Sequence, residues 1–97
     1  MENLRNIHPG EILNEEFLIP LGNSAYRLAK KTFFSQTRVS EIIKGNRKIT
    51  ADTALRQSKF FGNTPRFWLG IQNDFNLEEA GTLKENKLNG IKEMLLK

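Results

Sequence analysis

The sequence predicts a single all-α domain, and three observations support that prediction. The chain has 97 residues, the size of one domain with one hydrophobic core. Its apolar residues recur at intervals of three and four, as on one face of a helix, and no segment alternates with the period of two that marks a half-buried strand. Short stretches containing glycine, proline, serine or threonine divide the apolar runs into five helical segments.

The first predicted helix begins at Pro9, which suits a first helical turn because its missing N–H would be unpaired there. We expect the preceding His8 to cap or orient this turn. A catalytic role for it is disfavoured, because no nucleophile and carboxylate accompany it. Pro20 and Gly22 end the helix. The predicted apolar face consists of Ile12, Leu13, Phe17 and Leu21.

The second and third predicted helices are short, and each begins at a serine N-cap, Ser24 and Ser35. Gly45 ends the third helix. Only a few residues separate the two helices, so the pair has the dimensions of a helix-turn-helix. The predicted core residues of the pair are Ala25, Leu28, Ala29, Val39, Ile42 and Ile43.

The fourth and fifth predicted helices begin at Thr50 and Thr64, respectively. Leu69 lies opposite the apolar face of the fifth helix, which therefore has more apolar surface than one small core uses. We expect Trp68 and Leu69 to contact a second copy of the chain; the alternative is that Leu69 covers the core of its own chain. The predicted core faces consist of Ala51, Ala54, Leu55, Ser58 and Phe61 in the fourth helix and Phe67, Trp68, Ile71 and Phe75 in the fifth.

The chain becomes polar and lysine-rich from Gly81 onward. The spacing of Leu88, Ile91 and Leu95 predicts a last short helix, which Gly90 weakens. We therefore predict a helix-turn-helix domain over residues 1–80 and a C-terminal tail over residues 81–97. The apolar stripe of the tail either extends the dimer contact or belongs to a frayed terminus.

Composition excludes several kinds of site. The chain has no cysteine and one histidine, which excludes thiol chemistry, disulfides and zinc sites built from cysteine and histidine. We therefore expect no catalytic residue, no metal and no cofactor. The longest apolar run, residues 17–21, is much shorter than the roughly 18 residues that span a bilayer, and the first residues do not resemble a signal peptide. We expect a cytoplasmic protein without a membrane partner.

The net charge of +4 is concentrated in the middle of the chain. Residues 35–66 carry seven bases and two acids, whereas residues 1–34 are neutral and residues 67–97 carry a charge of −1. A localised basic segment suits a surface that binds a polyanion, because each lysine or arginine near a phosphate releases condensed counterions. On charge alone, a solvated basic face explains the excess equally well.

The third predicted helix carries polar side chains that can contact DNA. We expect base edges to be read by Gln36, Thr37, Arg38, Ser40 and Glu41. We expect phosphates to be contacted by Ser24, Arg27, Lys44, Asn46, Arg47 and Lys48. Any surface helix shows a polar stripe, however, and Glu41 could simply pair with Lys44. The pattern alone therefore leaves DNA binding open.

Five motifs occur in order over about residues 7–80: IHPGE, YRLAK, TRVSEIIKGNR, ITADTALR and FFGNTPRFWL. Together they resemble the HigA-type antidote family, which comprises plasmid-maintenance or addiction-module antitoxins. The resemblance implies a five-helix lambda-repressor-like domain of the Cro/C1 type, here followed by a short helical tail. It places residues 35–44 on the recognition helix, with Gln36, Thr37 and Ser40 at positions that usually read bases.

The same resemblance implies two partners besides a second copy of the chain. One is double-stranded operator DNA, because such antitoxins repress their own operon. The other is a toxin encoded beside the antitoxin, usually a RelE-like mRNA endonuclease. Toxins that cut RNA are generally basic, and Asp74, Glu78 and Glu79 offer an acidic surface for one. A regulator without a toxin, or a protein-binding inhibitor that uses the fold only as a scaffold, remains the alternative.

One residue departs from the family pattern. Phe33 stands where the turn of the family often has glycine, a position that tends to require positive φ and costs a bulky residue about 1 kcal/mol. Two adjacent phenylalanines in a turn suggest that at least one ring is buried. We expect the Phe33 ring to be part of the core, so that its replacement by glycine destabilises the fold.

Overall fold

The computed structural model describes residues 5–95, and within that range the chain is helical without strands. This confirms the predicted fold class. Helix α1 (Pro9–Ile12) continues directly into a π-helical segment (Leu13–Leu18). The remaining helices are α2 (Ala25–Thr32), α3 (Gln36–Ile43), α4 (Ala51–Phe61), α5 (Pro65–Leu83) and α6 (Glu85–Asn89).

Side-chain caps begin four of the helices, as predicted. The hydroxyl oxygens of Ser24, Ser35, Thr50 and Thr64 each accept a hydrogen bond from the backbone N–H three residues later, at 3.1–3.4 Å. Each of these bonds satisfies a donor that the first turn of a helix leaves unpaired. The starts of α2 to α5 are therefore fixed by short-range chemistry.

The π-helical segment changes the apolar face predicted for the first helix. Leu13 and Leu18 are fully buried, whereas Leu21 is 61% exposed, so the predicted core position of Leu21 is wrong. The buried leucines are five residues apart, because hydrogen bonds in a π-helix join residues five apart and the turn is wider. Phe17 remains half-buried against the core.

Helix α4 presents a more polar face to the core than its apolar residues predicted. Ala54 and Ser58 are buried as expected, but Ala51 is exposed and Leu55 is 56% exposed. The other buried positions are Thr53 and Gln57. The buried face of α4 is therefore rotated from the predicted one, with Thr53 and Gln57 in the core and Ala51 and Leu55 turned to solvent.

Trp68 lies at the centre of the core and is completely buried. The rings of Phe17, Phe61 and Phe67 surround its indole with centroid distances of 4.8–5.8 Å. The indole N–H donates to Asn63 Oδ1 at 3.0 Å. The prediction that Trp68 contacts a second copy is wrong, because its own chain encloses it.

Helix α5 extends well beyond the core. Its fully buried residues, Trp68 and Gln72, lie in its first half, and the helix continues through Gly81 to Leu83. The molecule is correspondingly elongated, with extents of 54 × 32 × 23 Å. The chain is helical across the boundary predicted at residue 80, and the division into domain and tail stays a prediction. Of the tail stripe, only Leu88 lies in α6.

Helix α1 packs directly against the end of α3. A Cβ atom added to Gly10 would lie 1.6 Å from the carbonyl oxygen of Ile42, so the two backbones meet where only glycine fits. The first turn of α1 thereby supports the last turn of α3.

Candidate nucleic-acid interface

The surface predicted to contact DNA depends on the packing of α2 against α3. Leu28 and Ala29 of α2 and Val39 and Ile42 of α3 are buried in the common core. Burying these residues turns the opposite side of α3 outward, since residues three, four and seven apart share one face of a helix. That side carries the predicted base-reading residues.

The predicted base-reading residues differ in how free they are. Gln36 and Thr37, in the first turn of α3, are exposed, and Ser40 is half-buried. Arg38 and Glu41 are also half-buried, and both are engaged in contacts within the chain. The structure therefore presents Gln36 and Thr37 as the side chains most available to a base edge.

Arg38 is held by an aromatic ring and a carboxylate. Its guanidinium carbon lies 4.5 Å from the centroid of the Phe34 ring, and that of Arg56 lies 4.4 Å from the same centroid. Asp52 accepts a hydrogen bond from Arg56 Nε at 3.0 Å and lies 4.0 Å from Arg38 Nη1. We call this group of Phe34, Arg38, Asp52 and Arg56 the arginine stack. The guanidinium of Arg38, predicted to read a base, is thus engaged within its own chain.

The turn between α2 and α3 contains the residue that departed from the family pattern. Phe33 has φ 63° and ψ 33°, the left-handed conformation expected for the position. Its ring is 86% exposed, so the expectation that it is part of the core is wrong. The half-buried ring is that of Phe34. Arg56 Nη1 fixes the turn by donating to the carbonyl oxygens of Thr32 and Phe33, at 3.1 and 3.0 Å.

Glu41 pairs with Arg47 in the loop after α3. It does not pair with Lys44, the i, i+3 partner that the sequence also allowed. Arg47 Nη2 and Nε donate to Glu41 Oε1 at 3.1 and 3.3 Å. Glu41 Oε2 and Arg47 Nη1 take no part in this pair, so each side chain keeps an atom that can meet a cytosine amine or a phosphate. Both side chains are partly exposed, so such a pair is weak in water.

The side chains predicted to contact phosphates are all exposed. They are Ser24, Arg27, Lys44, Asn46, Arg47 and Lys48. The first two lie at the start of α2 and the other four in the loop that follows α3. Ser24 Oγ already accepts the capping hydrogen bond of α2, but its hydroxyl hydrogen can still be donated to a phosphate oxygen.

Two residues that the sequence did not single out position this loop. Gln72 of α5 is buried, and its Oε1 accepts a hydrogen bond from the backbone N–H of Ile49 at 2.7 Å. Its Nε2 donates to Asn76 Oδ1 at 3.0 Å, which fixes the orientation of the amide. The signal was present in the sequence: residue 72 follows Trp68 by four on the apolar face of the fifth helix.

His8 supports the other end of the loop. Its Nδ1 accepts a hydrogen bond from the backbone N–H of Gly10 at 2.8 Å, which confirms the predicted capping role. Its ring lies edge-on to Phe75, with centroids 4.9 Å apart, and against Gly45 at the end of α3. Burial lowers the pKa of the His8 imidazole. The neutral ring is the form that can accept from Gly10.

Other kinds of site find no support in residues 5–95. No group of three or more histidine, aspartate or glutamate side chains in this range is placed to hold a metal ion. In the same range, no helix combines the length and the apolar character needed to cross a membrane.

Comparison with known proteins identifies close relatives, although no family model matches the chain. Virulence-associated protein I of Dichelobacter nodosus is 48% identical over 80 residues, covering 82% of this chain and 74% of that protein. Antitoxin HigA-1 of Vibrio cholerae is 32% identical over 92 residues, covering 95% of this chain and 87% of that protein. The solved structure of Pseudomonas aeruginosa antitoxin HigA with the higBA promoter superposes with a TM-score of 0.88 at 35% identity, covering 95% of this chain and 100% of that one.

Proposed function

We propose a function for this chain from one premise: it belongs to the HigA-type family of antitoxins. The proposed function is that of a DNA-binding antitoxin that represses its own operon and neutralises a toxin encoded beside it. It has no catalytic step, and it acts in the cytoplasm, where its operator lies. The relative from Pseudomonas aeruginosa, solved with a promoter, supports the DNA half of this proposal.

The proposal of DNA binding depends on one observation: polar and basic side chains are exposed at opposite ends of α3. Exposed Gln36 and Thr37 lie at its start, and the exposed basic loop that ends with Arg47 and Lys48 follows its end. Amide and hydroxyl groups suit base edges, whereas lysine and arginine suit phosphates. An arrangement of this kind can dock one helix in a major groove while cations follow the backbone.

The DNA half is tested by a salt titration of binding to two duplexes, one taken from upstream of the chain's own reading frame and one of random sequence. Lys48→Ala should weaken binding to both duplexes equally and reduce the salt slope by about one unit. Gln36→Ala should instead remove about 1–3 kcal/mol of discrimination at one base pair. Equal affinity of the unmodified protein for both duplexes at physiological salt would contradict specific recognition.

We also propose that the protein binds its operator as a dimer. One recognition helix reads too few base pairs, and a two-fold dimer would place two of them about 34 Å apart, one turn of B-DNA. Leu69 of α5 is 37% exposed and lines an open groove of about 610 Å³ together with Lys48, Arg66 and Asn73. With Trp68 enclosed in the core, Leu69 remains as the predicted dimer contact.

The toxin half of the proposal rests on family membership and on charge. Asp74, Glu78 and Glu79 are exposed on α5 and offer an acidic surface to a basic RNA-cutting toxin. Co-expression with the adjacent reading frame tests this half. Co-purification of the two proteins, lost when Glu78 and Asp74 are replaced by lysine, is the expected result. A neighbouring protein that never co-purifies favours a regulator without a toxin.

A further inference from the structure

Phe33 is exposed in a conformation that does not suit its side chain. Among residues 5–95 it is the one non-glycine residue with positive φ, and its ring is 86% exposed. A left-handed phenylalanine costs free energy, and an exposed ring returns none of it through core packing. Folding therefore does not explain why a phenylalanine is present at this position.

The ring projects from a rigid base next to the base-reading residues. Phe33 lies two residues before Ser35, the N-cap of α3, and three residues before Gln36. The turn beneath it is fixed by Arg56, which donates to the Phe33 carbonyl oxygen, and by the contacts of the Phe34 ring with the guanidinium groups of Arg38 and Arg56. The backbone that carries the Phe33 ring is therefore fixed before any partner binds, which lowers the cost of ordering this turn on binding.

The charges around the ring favour DNA over a basic protein. The exposed side chains of the last turn of α2 before it include Lys30 and Lys31. The guanidinium of Arg56 contacts the turn itself. The nearby carboxylate, that of Asp52, is already paired with Arg56. A basic toxin would be repelled by this surface, whereas a phosphate backbone would be attracted.

We propose that Phe33 is an apolar DNA contact at the edge of the surface that α3 reads. Its ring would pack against a thymine methyl group or a deoxyribose, the apolar groups that a groove presents to an aromatic side chain. This inference rests on the proposed operator binding. On this proposal, the DNA contact of the Phe33 ring offsets the free energy that its left-handed conformation costs.

The test compares stability with operator affinity in three variants of the full chain. Phe33→Gly and Phe33→Asn remove the ring and suit the left-handed conformation, whereas Phe33→Leu keeps an apolar side chain. Phe33→Gly should raise the melting temperature and yet weaken the operator complex about tenfold, as expected for the loss of a buried apolar contact. Phe33→Asn should weaken binding similarly, and Phe33→Leu should retain most of the affinity.

Substituting deoxyuridine for thymine in the operator identifies the contacted group. If the unmodified protein loses affinity for the substituted duplex and Phe33→Gly does not, the ring contacts a thymine methyl. If neither changes while Phe33→Gly still binds the normal operator weakly, the ring contacts a deoxyribose.

Three results would overturn the inference. The first is operator affinity of Phe33→Gly equal to that of the unmodified protein. The second is weaker binding of the adjacent toxin by Phe33→Gly with operator affinity unchanged, which would make the ring a protein contact. The third is failure of the unmodified protein to distinguish operator from random duplex, which would overturn the proposed DNA function as well and is recognised by that separate measurement.

Discussion

Replacing Gly10 by alanine should strongly destabilise the fold, although helix propensity argues the other way. In an ordinary helix, alanine is about 1 kcal/mol more favourable than glycine. Here the new Cβ would lie 1.6 Å from the carbonyl oxygen of Ile42, whereas real Cβ atoms hardly ever come within 3.0 Å of such an atom. Helix α1 would have to withdraw from α3 by roughly 1.4 Å, the difference between these two distances.

The size of the effect follows from what has to move. The Ile42 oxygen is part of the α3 backbone and accepts a hydrogen bond from the N–H of Gly45 at 3.0 Å, so it cannot rotate away as a side chain would. Overpacking that side chains can absorb costs about 1–3 kcal/mol. Because the backbone must shift here, we expect a net loss of about 3 kcal/mol or more. A domain of this size would lose about 15 °C in melting temperature.

Urea denaturation and thermal melts measure this loss, with Gly81→Ala as the matched control. Gly81 also lies in a helix, but beyond its chain neighbours and the backbone of its own helix no atom lies within 4 Å of the Cβ it would acquire. Its replacement should be neutral or stabilise the protein by about 0.5 kcal/mol. Operator affinity of the Gly10 variant should also fall, because α1 supports the end of α3. A Gly10→Ala protein as stable as the unmodified one would refute the steric argument.

Three further predictions concern other contacts. Burial lowers the pKa of His8, so the unfolded chain binds a proton more readily than the folded one and stability should fall as the pH drops below about 6.5. In urea melts, His8→Asn should flatten this pH dependence, because asparagine can still accept from Gly10 but does not titrate. An unchanged pH dependence would mean that other groups cause it. Leu69→Asp should abolish the dimer in sedimentation experiments while the circular dichroism stays helical, and a persistent dimer would move the interface elsewhere. Phe34→Leu keeps apolar bulk but removes both cation–π contacts, so urea melts should show a loss of about 1 kcal/mol; unchanged stability would mean that the ring contributes only bulk.

The parts of the fold that could be predicted depend on short-range chemistry. The caps Ser24 and Ser35 were predicted correctly because each bonds to a donor three residues away in sequence. The burial of Leu18 was not predicted, because a π-helical turn changes the spacing on which an apolar face is read. Trp68 and Leu69 do not share one face of α5, because adjacent helical residues point about 100° apart. Helix geometry alone separates the two residues.

The parts of the site that could not be predicted are contacts across loops. Nothing local indicates that Glu41 pairs with Arg47, since that pairing depends on how the chain turns back after α3. The arginine stack likewise joins Phe34 and Arg38 to Arg56, a residue brought close only by the packing of α2 against α4. The sequence therefore indicates which side chains of α3 face solvent, but it does not indicate which of them are engaged in contacts within the chain.

If the protein binds its operator as the proposed dimer, the hydrogen bond from Ile49 to Gln72 limits how much variation in operator spacing it can accept. Gln72 ties the basic loop to α5, and Leu69, the proposed dimer contact, lies one helical turn away on the same helix. In such a dimer, the proposed phosphate contacts and the proposed subunit contact would be joined through α5, and this connection would set the offset between the two recognition helices. Inserting a single base pair between half-sites would rotate them by roughly 35° relative to each other. A dimer connected in this way would not follow that rotation, so we expect operator spacing to restrict binding as strongly as operator sequence does.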